Sequence, residues 1–128
     1  MLFRLLLAAL CAVLRRPFVF TALFWLALGG VAKAETCEAS QYGVGDGYHG
    51  KKTASGAIFN TYATNPYTVA HKTRPLGSWV TVTNLRNGRS IRAKVTDRGP
   101  FIRGRCVDLG RAGANAIGMG GTARVSVQ

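Results

Sequence analysis

Acidic residues are scarce in this 128-residue chain: five Asp and Glu stand against 17 Lys and Arg, a formal net charge of +12. With so few, the position of each acid carries information. Histidine is rarer still, with only His49 and His71, and neither has a cysteine or acid at metal-ligand spacing. The sequence therefore points to no metal and no cofactor. No Ser-His-Asp or Cys-His order of suitable spacing occurs, which leaves nucleophilic catalysis without support. The close glycines of GVGDGYHG follow no long apolar strand and precede no periodic helix, so a phosphate-cradling loop is excluded. Internal repeats and low-complexity linkers are absent as well.

A long apolar run exists only near the start. Arg4, Arg15 and Arg16 precede PFVFTALFWLALGGVA, which closes on Ala32-Lys33-Ala34 before Glu35. This pattern reads as a secretory signal peptide over residues 1–34. The alternative is an uncleaved membrane anchor, for which Pro17–Ala32 is shorter than the roughly 20 residues a spanning helix needs. Without the leader's Arg4, Arg15, Arg16 and Lys33, the remaining 13 basic residues face all five acids, a net charge of +8. Residues 35–128 then form one small domain, which buries little more than about 60% of its unfolded surface. Export argues for a covalent staple, and Cys37 and Cys106, the two cysteines past the leader, are expected to pair. Closing so long a loop contributes on the order of 4 kcal/mol. Cys11 follows Ala-Ala-Leu, a poor lipoprotein site because Leu10 is bulky. Export also removes nucleic acid as the partner of the positive charge. Acidic wall polymers and anionic membrane surfaces take its place.

Past the leader, Glu35 to Gly56 reads as a glycine-rich loop with room for one short strand in SQYG. From Tyr67 a period of two sets in. YTVAH is a short strand, and SWVTVTNL places Trp79, Thr81 and Thr83 on one face and Val80 and Val82 on the other. Asn87-Gly88 signals a tight hairpin with both central residues at positive φ. The return strand SIRAKVTD opposes Ile91, Ala93 and Val95 to Arg92 and Lys94, and ARVSV is the last strand. GRAGANAIGMG supplies a short helix with Ala112, Ala116 and Ile117 as its buried face and Gly118 or Gly120 as its stop. Turn signals every 8–12 residues or so predict a mainly β fold, a closed or nearly closed barrel with one or two short helices.

Asp97 ends the strand VTD just before the turn RGPF. A carboxylate at such a strand end, beside a low-dielectric wall, can hold its proton and act as a general acid. It can equally accept the turn's own amides. Asp108 precedes the helix and is expected to cap it, while Asp46 lies in the glycine-rich loop and is expected to be solvated. His71 is a candidate polar partner for Asp97. Tyr and Trp side chains offer the flat apolar faces and polar tips that sugars use, and Tyr42, Tyr48, Tyr62, Tyr67 and Trp79 qualify. Phe59 and Phe101 suit core packing better.

Read together, ASQYGVGDGYHGKKTASGAIFN, TVAHKTRPLGSWVTVTNLRNGRSI, VTDRGPFIRGRCVDLGRAGANAIGM and GGTARVSV resemble the rare-lipoprotein-A (RlpA) domain, from about Ala39 to Val127. The resemblance implies a six-stranded double-psi β-barrel. It also implies an endolytic lytic transglycosylase of peptidoglycan, which cleaves the β-1,4 bond between N-acetylmuramic acid and N-acetylglucosamine to leave a 1,6-anhydro end. Glycan strands without stem peptides are the implied substrate, the bacterial periplasm or envelope the implied location, and cell-division or cell-wall proteins further partners. Carried over by motif, Asp97 and His71 are the catalytic pair. Tyr42, Tyr48, Ser55, Asn84, Arg98 and Phe101 form the candidate substrate-binding set.

One departure stands out. The family glutamate after TASG is Ala57 here, and the acid three residues later is Asn60. Ordinary glycosidases need two carboxylates. Attack by the substrate's own 6-hydroxyl needs no activated water, so a single acid/base at Asp97 can serve, with His71 orienting it or the substrate. The alternative expectation is a non-catalytic peptidoglycan-binding or wall-loosening barrel of the expansin or barwin kind. A third is an exported protein-binding module.

Overall fold

A computed structural model describes residues 33–128. The leader reading, with Cys11 and the alternative anchor, lies outside the described residues apart from Lys33 and Ala34. Six strands and a helix follow in order: β1 (Glu35–Tyr42), β2 (Tyr67–His71), β3 (Trp79–Asn84), β4 (Ser90–Asp97), β5 (Arg105–Gly110), α1 (Arg111–Ala116) and β6 (Thr122–Val127). They close into a barrel in the order β1-β5-β2-β4-β3-β6. The pairs β1/β5 and β2/β4 are parallel and the other four antiparallel.

Alternation of side chains builds the core as the sequence predicts. Val80 and Val82 of β3, and Ile91, Ala93 and Val95 of β4, point inward to meet Val69, Val107, Leu109, Val125 and Val127. The Cys37–Cys106 disulfide joins β1 to β5 with the Cα atoms 5.9 Å apart, closing a sequence separation of 69.

Three local expectations are corrected. The glycine-rich region gives up more than SQYG to strand, because all eight residues of β1 pair with β5 or β6. At the hairpin only Gly88 has positive φ, at 75°. The turn is wider than two residues: the Asn84 carbonyl accepts the Gly88 N–H at 2.8 Å, and the Asn84 N–H donates to the Arg89 carbonyl. In α1 the fully buried residues are Gly113 and Ala114, followed by Ile117, whereas Ala112 and Ala116 are half-buried. A helix this short lays one edge on the barrel, so its buried face is narrower than a full amphipathic stripe.

The segment between β1 and β2 lies over the outside of the barrel. Tyr42 stacks on Phe59 with ring centroids 4.1 Å apart, and Phe59 and Lys51 are joined by a backbone hydrogen bond of 2.8 Å. Gly43 makes this close passage possible. Its φ is +92°, and a Cβ there would sit 2.5 Å from a Phe59 ring carbon. Thr61 closes the segment: its hydroxyl donates to the Tyr42 carbonyl at 2.8 Å and accepts the Arg111 N–H at 2.7 Å, while its carbonyl accepts the Ala112 N–H. Thr61 thus caps α1 from 50 residues away.

Candidate active site

The register of β2 builds the site. Ala70 lies opposite Asp97 of β4 on one side and opposite Asp108 of β5 on the other, and Ser40 of β1 lies opposite Asp108. Adjacent strands are about 4.8 Å apart, so the two aspartates have backbones roughly 9–10 Å apart, with Ala70 between them at 2% exposure. Val69, Val107 and Leu109 point into the core with no exposure, which leaves Ala70 and Asp108 on the outer surface. There Ala70 packs with Tyr42 and Phe59 in a second, smaller apolar cluster. These three residues make an apolar floor flanked by two carboxyl groups.

Asp97 is held by one oxygen. Its Oδ1 accepts the Ala54 N–H at 3.0 Å and the Arg98 N–H at 2.9 Å. The first bond comes from the TASG hairpin, whose Ser55 N–H also donates to the Thr96 carbonyl. Oδ2 of Asp97 makes no hydrogen bond among the described residues. The turn-tying reading of Asp97 is thus seen at Oδ1.

Asp108 is not a helix cap. The N-cap position of α1 is Gly110, with no side-chain cap bond, and the Asp108 carboxylate instead accepts the Ser40 hydroxyl. Burial pushes its carboxyl above the ordinary range, and Asp46 and Asp97 push the same way, while the Ser40 bond and Arg105 pull it back. The missed signal was the alternation in CVDL: if Val107 and Leu109 face the core, Asp108 must face out beside Ala70. Asp46 is not simply solvated either, since it accepts the Gly43 N–H at 2.7 Å and the Tyr48 N–H at 3.1 Å.

Tyr42 sits among these acids. Burial first, then Asp97, Asp108 and Asp46, drive its phenol far above the ordinary range, so it keeps its proton. Its hydroxyl has no hydrogen-bond partner among the described residues. Three of the five acids in the chain thus bear on one unpartnered donor.

The remaining candidates divide. Tyr48, Ser55 and Phe101 are exposed near this outer surface, Phe101 at 84%. Tyr42 is buried and stacked, its hydroxyl oxygen included, so it is not presented as a sugar platform. Arg98 spends its guanidinium on the His71 and Arg74 carbonyls, at 3.0 and 2.6 Å. Asn84 is 1% exposed and donates to the Ile117 carbonyl at the other end of the barrel wall, so it is not brought to Asp97. Its inward position on β3 makes it a buried anchor for the hairpin.

His71 does not hydrogen-bond Asp97. Its Nδ1 accepts the Thr73 and Arg74 N–H groups, both at 3.1 Å, and its Nε2 lies 3.0 Å from a Glu35 carboxylate oxygen. Accepting at Nδ1 places the ring proton on Nε2. Burial lowers the tendency to protonate further, against the opposing pull of Glu35. The imidazole shapes the loop that receives Arg98, the neighbour of Asp97. Glu35 also lies near Cys37 and Cys106, but those sulfurs are bonded to each other and supply no thiolate for a metal.

The family described as lytic transglycolase matches residues 35–128, the whole barrel. The chain belongs to that family. It is similar to the endolytic peptidoglycan transglycosylase RlpA of Pasteurella multocida, 52% identical over 92 residues, covering 66% of this chain and 30% of the relative. The RlpA of Campylobacter jejuni is 43% identical over 100 residues, covering 77% and 35%. The chain thus spans about a third of the length of these relatives. Among solved structures, the fold is shared with a Clavibacter michiganensis expansin, at 19% identity and TM-score 0.57, covering 75% of this chain and 50% of that one. A Streptomyces papain inhibitor shares it too, at 22% identity and TM-score 0.54, covering 76% and 94%. The six-stranded double-psi β-barrel expected of an RlpA domain is the fold observed.

Proposed function

We propose that this lytic transglycolase-family barrel is an endolytic peptidoglycan transglycosylase working with two carboxyl groups, Asp97 and Asp108. The observation that carries the reading is the register of β2, which sets those two groups on either side of Ala70 above an apolar floor. Asp108, inclined by burial to hold its proton, gives it to the bridging glycosidic oxygen as the C1–O bond breaks. The free oxygen of Asp97 takes the proton from the muramic 6-hydroxyl as that oxygen bonds to C1. One proton leaves the acid and one reaches the base, and the products are a free sugar hydroxyl and a 1,6-anhydro end. In this reading Asp108 supplies the second carboxyl that Ala57 cannot, and His71 is a positioning residue acting through the 72–74 loop and Arg98.

Tyr48, Ser55 and Phe101 border the groove and suit the faces and hydroxyls of neighbouring sugars. Glycan strands without stem peptides are the substrate in this reading. Among the described residues no helix is long and apolar enough to cross a membrane. The site of action is the periplasmic envelope, the leader being cleaved, with retention as an anchor the alternative.

The test is mass spectrometry of stem-peptide-free glycan strands after incubation with the protein. Anhydro-muramic ends that disappear in both Asp97→Asn and Asp108→Asn are expected. Their absence with the parent protein refutes the activity. The exposed Ala57 favours one second reading, a glycan-binding barrel without chemistry. It predicts binding that survives Asp97→Asn, no product from the parent, and product from Ala57→Glu.

A further inference from the structure

Away from Asp97, the barrel carries an open concavity. An open cavity of about 470 Å³ lies where β2 and β4 begin, lined by Tyr67, Trp79, Ser90 and Arg92 together with Thr64 and Asn65. The catalytic groups lie where the same two strands end. Arg92 and Asp97 are five residues apart on β4, about 16 Å at 3.3 Å per residue. The cavity is thus separate from the groove yet on the same wall.

Its lining has a definite chemistry. Trp79 is 47% exposed, although Val80 and Val82 on the same strand are buried. The Arg92 guanidinium lies over its ring, 4.9 Å from the centroid, as the diagonal register of β3 and β4 allows. No acid lines the cavity, and the one ion pair among the described residues is His71–Glu35. The stack holds the guanidinium in place while its N–H edge is unpaired among the described residues, and Tyr67, packed against the core, forms part of the lining. Ser90, Thr64 and Asn65 bring hydroxyl and amide groups. A flat apolar face, small polar groups and one oriented cation together select a sugar that bears a carboxylate.

We infer that this cavity is a second, non-catalytic saccharide site, taking a carboxylate-bearing amino sugar with its carboxylate on Arg92 and its ring against Trp79. The inference rests on the proposed action on peptidoglycan for the choice of sugar, since N-acetylmuramic acid carries such a carboxylate. A strand bound there is held to the barrel beside the groove while one bond is cut.

The test is a two-dimensional ¹⁵N NMR titration of the Asp97→Asn protein, which leaves added saccharides intact. The probes are a GlcNAc–MurNAc tetrasaccharide, the chitin tetrasaccharide and the free stem peptide. The muramyl saccharide is expected to shift the Trp79 indole N–H. Arg92→Gln is expected to weaken that titration about tenfold or more, in line with loss of a charge-assisted hydrogen bond, while the Tyr48 and Ser55 signals titrate as before. An unmoved Trp79 indole overturns the inference. So does an equal shift with chitin, a preference for the stem peptide, or an Arg92→Gln variant that titrates like its parent. Failure of the catalytic reading is seen elsewhere, as an Asp97-containing protein that yields no anhydro ends, and it leaves the Trp79 titration readable.

Discussion

Asp108→Asn separates catalysis from stability at one atom. Asparagine keeps the side chain's size and an oxygen to accept the Ser40 hydroxyl, but removes both the transferable proton and the charge. Burial and two neighbouring aspartates raise the carboxyl in the folded protein. The folded state therefore binds more protons than the unfolded state between the ordinary carboxylate range and the raised value. Stability falls as pH rises through that window. Above that window an ionised Asp108 is a burden on the fold, and Asn lifts it. The variant is expected to melt at the same or a higher temperature at pH 7, with the advantage vanishing below about pH 4, where the unfolded carboxyl is protonated as well. Its activity is expected to fall about 10²–10⁴-fold, the usual contribution of a general acid, or roughly 2.7–5.4 kcal/mol of barrier at 1.36 kcal/mol per decade. Calorimetric melting at pH 4 and pH 7, with quantitation of anhydro ends, reads both halves. A variant within threefold of parent activity, or one melting several degrees lower at pH 7, refutes the assignment.

Further outcomes follow from particular contacts. His71 protonates less readily when folded, so the unfolded state binds the extra proton and stability is lost as pH falls through about 6.5; denaturant midpoints at pH 5 and 7.5 should lie closer together in His71→Asn. Breaking the Cys37–Cys106 link, which spans a sequence separation of 69, should lower unfolding free energy by about 4 kcal/mol, read from urea melts of the Cys37→Ala/Cys106→Ala protein. Gly43→Ala forces a Cβ against Phe59 at positive φ; a loss of about 1–3 kcal/mol and faster amide exchange at Gly50 and Phe59 are expected, and an unchanged melt would show that the overlying segment shifts freely. Asp97→Asn should abolish product and leave the melt within about 1 kcal/mol, because the amide oxygen can still accept the Ala54 and Arg98 N–H groups.

The strands were legible because their information is local. Alternation in WVTVTN and SIRAKV states which side chains face inward, and the barrel could bury them only one way. The pairing of Cys37 with Cys106, with Cys11 assigned to an expected leader, and the prominence of Asp97 at a strand end were equally plain. Local reading failed where a partner came from far along the chain. Asp108 reads as a helix cap beside RAGANA, yet Thr61 is the cap and Ser40, 68 residues away, is the partner of Asp108. Asn84 and Arg98 look like polar groups for a ligand until the fold spends them on carbonyls. His71 looks like a partner for Asp97 until two loop amides and Glu35 claim its nitrogens. By itself the sequence determined the family, the disulfide and the strands β2, β3, β4 and β6, while β5 went unread and β1 was read only in part. Only the tertiary structure decided that Asp97 and Asp108 flank Ala70, because that pairing is a matter of register between strands, and register is settled when the whole barrel closes around its core.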